Sequence, residues 1–138
     1  MVEIENFTPL IFNRYIIDKI TDLLTQKDVE LLIVDNNTIQ ELNKEHRGID
    51  RPTDVLSFPL ASNPTNMLGS IVISADKVQE AAKEYGHTPQ EELILLYIHG
   101  LLHLLGFDHE TDNGEMRKKE KELIERFALP QSLIIRNS

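Results

Sequence analysis

Between Pro89 and Leu105 the chain is apolar on nearly every side of a helix, and such an element tolerates only one kind of position. A helix with no polar face has to be packed all round, by sheet and by other helices. Its start is marked by Thr88-Pro-Gln-Glu91, where an N-cap threonine, a proline at the first helical position and a glutamate at the third make a capping box. Gly106 marks its end, because glycine adopts the left-handed conformation that closes helices. The most apolar part, Leu93 to Leu105, is broken by His99, Gly100 and His103, and it is shorter than the ~20 residues that span a bilayer. The segment therefore predicts the buried centre of a globular domain.

The same segment carries a second message. His99-Gly-Leu-Leu-His103-Leu-Leu-Gly106-Phe-Asp108-His109 holds three of the five histidines of the chain. Neutral imidazole is the commonest transition-metal ligand, and residues four apart on a helix share a face. His99 and His103 are expected to converge, and a turn at Gly106 can return His109 from outside the helix. Three protein ligands leave a position open, which distinguishes a catalytic metal site from a closed structural one. The spacing matches the zinc-protease pattern H-E-x-x-H-x-x-G-x-x-H except that Gly100 stands where those enzymes carry their glutamate base. The alternative of three coincidental core histidines is weak, since burying unpartnered imidazoles in so leucine-rich a segment costs several kcal/mol.

Length and composition set the frame. At 138 residues the chain fits one domain, 1–138, and its 41% hydrophobic and 27% charged residues are those of a globular protein. No cysteine is present, so disulfides, thiolate ligands and cysteine nucleophiles are excluded and a metal must be held by nitrogen and oxygen. The start, Met-Val-Glu-Ile-Glu-Asn, lacks a basic segment and apolar run, and a cytoplasmic location is expected.

Periodicity supplies the remaining elements. Val2-Glu-Ile-Glu alternates like a strand, and Thr8-Pro9 predicts a helix start followed by a stripe of Phe12, Ile16, Ile20, Leu23 and Leu24. Val29 to Val34 is a buried strand leading through Asp35-Asn36-Asn37 into a helix with Ile39 and Leu42. Val55 to Phe58 and Leu68 to Ile73 are strands expected to pair across a loop around Ala61 to Asn66. Ser74 caps a helix with Val78, Ala81, Ala82 and Tyr85 on one face, closed by Gly86. Asp112 is expected to cap a last helix with Met116, Leu123 and Phe127 inward. Its Arg117, Lys118, Lys119 and Lys121 are interleaved with glutamates and predict a solvated face rather than a nucleic-acid patch.

A polar connection, Leu42-Asn43-Lys-Glu-His46-Arg47-Gly48-Ile-Asp50-Arg51, runs into Pro52-Thr53-Asp54-Val55-Leu56-Ser57-Phe58-Pro59. Taken with the histidine motif, these residues resemble the YbeY family of bacterial metal-dependent endoribonucleases that act in ribosomal RNA maturation. That family places an asparagine and an arginine before a Pro-Thr-(Asp or Asn)-Val-Leu-Ser-Phe-Pro strand. A Leu-Gly-Asp strand follows, then His-Gly-x-Leu-His-Leu-x-Gly-(Phe or Tyr)-Asp-His. The resemblance covers about Leu42 to Glu120. It implies an α+β domain with a small, mostly parallel four-stranded sheet, about five helices and a central helix bearing two metal-binding histidines. It implies His99, His103 and His109 as ligands of one divalent ion per chain, Zn²⁺ foremost, and Arg47 as a functional arginine beside them. One departure is Ser70, where the family usually has aspartate after Leu-Gly.

The activity so implied is hydrolysis of single-stranded or ribosomal RNA by a metal-activated water, in ribosomal RNA maturation and ribosome quality control. The ribosome or its proteins are the expected partners, without membrane or DNA. Arg47 would contact the phosphate, and Asp108 would either orient an imidazole or satisfy backbone donors of a turn. The net charge of −9 opposes nonspecific nucleic-acid binding. A local positive cleft of Lys44, Arg47, Arg51 and the metal would ease that tension. It would bind isolated RNA weakly, with affinity falling steeply in salt. His46 lies near enough to approach the site, while His87 reads as a loop residue. Two alternatives are a metallopeptidase-like hydrolase drawing a base from Asp54 or Glu110, and a noncatalytic ribosome-associated factor with a structural metal.

Overall fold

The computed structural model describes residues 1–60, 66–108 and 110–130. Its elements run β1 (Val2–Asn6), α1 (Tyr15–Leu24), β2 (Asp28–Val34), α2 (Asn36–Arg47), β3 (Val55–Pro59), β4 (Met67–Ser74), α3 (Ala75–Tyr85), α4 (Pro89–Leu104) and α5 (Glu115–Arg126). The strands form one sheet in the order β1-β2-β4-β3. β1 with β2 and β2 with β4 are parallel, whereas β3 pairs antiparallel with β4, so the sheet is mixed and its parallel part predominates. The expected pairing of the third and fourth strands is present. The loop expected around Ala61 to Asn66 lies, through residue 65, outside the described residues.

Alternation along the strands divides the core. Val29, Leu31 and Ile33 of β2 and Ile71 and Ile73 of β4 are buried in one cluster with α1, α3, α4 and α5. The intervening Val34, Leu56 and Val72 pack with Ile39 of α2 on the opposite face. One amphipathic helix thus covers one face, and the uniformly apolar α4 lies across the other with helices around it.

α4 follows its sequence signals closely. Thr88 accepts from the Glu91 N–H at 3.1 Å while the Glu91 carboxylate accepts from the Thr88 N–H at 2.8 Å. At the other end the Gly106 N–H reaches the His103 carbonyl and the Phe107 N–H the Leu102 carbonyl, both at 3.0 Å. Gly106 has φ 98°, so this is a Schellman closure, and it turns the chain back over the helix end.

Two helix starts differ from the sequence expectation. α1 begins at Tyr15, not after Thr8, because the Asn6 side chain accepts from the Thr8 N–H and hydroxyl and folds that segment into a turn. The shift brings Ile17 into the core and leaves Leu23 43% exposed. α5 has Gly114 at the cap position, yet Asp112 does the capping work from two residues upstream, accepting from the Gly114 and Met116 N–H groups at 2.8 and 2.9 Å. Among the described residues, no helix is long and apolar enough to cross a membrane.

Candidate active site

β3 is an edge strand, and a cleft of about 750 Å³ wraps around its free side. One wall is the C-terminal end of α4 with His99, His103 and Gly106, followed by Phe107, Asp108 and Glu110. The other is the C-terminal end of α2 with His46 and Arg47, and β3 itself supplies the floor between them. The end of α2 and the neighbouring strand β3 therefore share one concavity with the end of α4, which is distant from both in sequence.

His99 and His103, one helical turn apart, bring their Nε2 atoms to 3.2 Å, with ring centroids 4.7 Å apart. The His99 Nδ1 lies 2.9 Å from Oε1 of Glu120 on α5, whose side chain is only 2% exposed. The other oxygen of that carboxylate, Oε2, is buried and has no hydrogen-bond partner among the described residues. Sequence reasoning missed Glu120 because it sits in a run of lysines and glutamates. Its one signal was position: four residues after Met116 and three before Leu123, on the face that α5 turns inward.

The remaining expected site residues sort as follows. Arg47 lines the cleft, is exposed, and has no ion-pair partner among the described residues. His46 approaches the site as expected and packs edge-on against Phe58 at 4.9 Å between ring centroids. Lys44 and Arg51 do not line the cleft, and Lys44 lies 3.9 Å from Asp50 instead. Among the described residues Arg47 is the one lysine or arginine lining the cleft, beside carboxylates at Asp54, Asp108 and Glu110, so Lys44, Arg47 and Arg51 do not form the expected cluster there. Asp108 accepts from the Glu110 N–H at 3.0 Å, which makes it a turn residue. Asp54 accepts from the Val55 N–H at 2.8 Å. His109 lies outside the described residues.

Gly100 explains why no protease glutamate follows His99. A Cβ there would sit 2.8 Å from Ile71 Cγ2 and 3.3 Å from both Ser57 Oγ and Val55 Cγ2. The Ser57 hydroxyl donates to the Gly100 carbonyl at 2.9 Å, tying β3 against the helix at this point. Position 100 is thus turned into the sheet. Ser70 is likewise accounted for: it does not line the cleft, and its hydroxyl donates to Glu30 across β2 and β4 at 2.9 Å. His87 is in a loop, but its side chain is buried, with Nδ1 2.8 Å from Glu92.

The family model for "Endoribonuclease YbeY" matches residues 5–128. The chain belongs to the endoribonuclease YbeY family. Relatives of that name are 60% identical in Aliarcobacter butzleri, over the whole of both chains, and 59% identical in a Sulfurovum species, over 99% of this chain and 97% of the relative. The solution structure of TM1509 from Thermotoga maritima is similar in fold, with a TM-score of 0.62 at 32% identity over 91% of this chain and 87% of that one.

Proposed function

We propose that this protein is a metal-dependent endoribonuclease that hydrolyses phosphodiester bonds in single-stranded RNA, acting in ribosomal RNA maturation and ribosome quality control. The observation that carries the metal dependence is the 3.2 Å approach of the His99 and His103 Nε2 atoms at the wall of the cleft. Two nitrogens each about 2.0–2.1 Å from a tetrahedral Zn²⁺ stand roughly 3.3 Å apart, so the pair has the spacing of ligands on one ion. His109 is the third ligand of this proposal. An all-imidazole set suits Zn²⁺, as it suits other first-row transition metals, and Zn²⁺ is the ion of this proposal.

When bound, the ion supplies Lewis acidity at the phosphoryl group and acidifies water at neutral pH. The chain's own residues do the rest. Arg47 presents a permanently charged planar guanidinium to the phosphate and to the charge that builds on it. Glu110 lines the cleft with carboxylate oxygens that accept no hydrogen bond from a described residue, which leaves them available to hold a proton. The free side of β3 bounds the strip along which a single strand of RNA would lie. Gly100, whose Cβ position is filled by Ile71, removes the base position of the zinc proteases, so a metallopeptidase here would have to draw its base from Asp54 or Glu110 of the cleft. It is the family membership that favours RNA as substrate. The site of action in this proposal is cytoplasmic, and the ribosome as partner accords with a net charge of −9 that needs more than nonspecific attraction to bring RNA.

The test is cleavage of a ribosomal RNA fragment with single-stranded ends by wild type and His103→Ala, each stripped by chelator and reloaded with Zn²⁺. Wild-type activity should vanish on stripping and return on reloading, and the variant should stay inactive. Equal cleavage by both proteins would overturn the proposal.

A further inference from the structure

Glu120 is, with Glu92, one of two carboxylates buried in the core among the described residues, and it is the one whose histidine partner lines the cleft. It occupies the apolar stripe of α5 between Met116 and Leu123, at 2% exposure, where a carboxylate is disfavoured unless its charge is balanced. Its one hydrogen-bond partner among the described residues is the His99 imidazole, through Oε1, and Oε2 has none. A neutral ring is poor compensation for a buried anion. The arrangement makes sense if the ring carries positive charge away from its Nδ1 edge. That charge would enter through Nε2, the atom aimed at His103.

We infer that Glu120 is the positioning residue of the metal site: it holds His99 in the tautomer with the proton on Nδ1, fixes the ring plane, and balances the ion's charge from the protein interior. This rests on the metal dependence proposed above and extends it to a residue from a different helix. Hydrogen-bonded carboxylates behind metal-bound histidines act in this way, and their loss lowers metal affinity by about 10- to 100-fold. The contact joins α4 to α5 across 21 residues of sequence. Metal occupancy and the docking of α5 are therefore linked: an ion on His99 strengthens the Glu120 contact, and a docked α5 improves the ligand.

The measurement is Zn²⁺ affinity by competition with a chromophoric chelator, together with thermal unfolding of stripped and loaded protein, for wild type, Glu120→Gln and Glu120→Leu. Gln keeps the shape and an acceptor but removes the charge, and Leu suits the apolar stripe. The expected result is about tenfold weaker Zn²⁺ binding for Gln, about a hundredfold for Leu, and a smaller Tm rise on loading in both. The stripped variants should unfold no lower than stripped wild type, which a merely structural glutamate would not allow. Wild-type Zn²⁺ affinity in both variants would overturn the inference alone. Failure of wild type to bind Zn²⁺ would overturn the metal dependence and this inference with it.

Discussion

Gly100 is where a single residue separates this site from a protease site with the same histidine spacing. Its place against Ile71, Ser57 and Val55 leaves no room for a Cβ, and Gly100→Ala is expected to cost about 1–3 kcal/mol by overpacking, read as a lower urea midpoint at unchanged m-value. Arg47 carries the complementary prediction. Arg47→Lys keeps the charge but loses the planar fork, so kcat on RNA should fall by roughly 10²–10³ while unfolding is unchanged, as suits an exposed side chain. A drop in stability instead would mark Arg47 as structural. At this scale the sequence was legible where chemistry and spacing coincide: His99 and His103 are a helical turn apart, and their convergence follows from helix geometry. Glu120 was not legible, because its partner is 21 residues away and only the packing of α5 on α4 brings them together. Nor was the separation of Lys44 and Arg51 from Arg47, since which of several cations on a polar connection enters a cleft depends on the path of the chain.

Among the elements, α4 was legible almost to the residue, and α1 was misplaced by several. The difference lies in competition for local donors. At Thr88 nothing opposes the capping box, whereas at Thr8 the Asn6 carboxamide oxygen takes both the N–H and the hydroxyl and a turn forms in place of a helix start. α4 also separates stability from function along its own length. Thr88→Ala removes the N-cap about three turns from the histidines and should lower stability by about 1 kcal/mol with Zn²⁺ affinity unchanged. Gly106→Ala forces a side chain into φ 98° at the cleft end of the same helix, and it should lower stability and Zn²⁺ affinity together. Calorimetry and chelator competition on the two variants would expose any failure of this split, the clearest being a loss of Zn²⁺ affinity in Thr88→Ala.

For the whole molecule the electrostatics set how RNA can be held. The net charge is −9, and the described cleft offers Arg47 alone against Asp54, Asp108 and Glu110, so the steep salt dependence expected of a three-cation cleft no longer follows. Each phosphate neutralised on a single strand contributes a slope of about −0.7 in log K against log salt. One or two contacts, from Arg47 and a bound ion, therefore predict a slope between roughly −0.7 and −1.4 for an isolated single-stranded oligonucleotide. Fluorescence anisotropy across a salt series measures it, on Zn²⁺-loaded and chelator-stripped protein. Stripping should both weaken binding and flatten the slope, because without the ion the lining carboxylates outnumber the one arginine. A slope of −4 or steeper would require several more cations at the interface than the cleft provides. A measured slope as shallow as expected would mean that the cleft's own charges supply little of the affinity for RNA, which is the role the proposed ribosomal partner would fill.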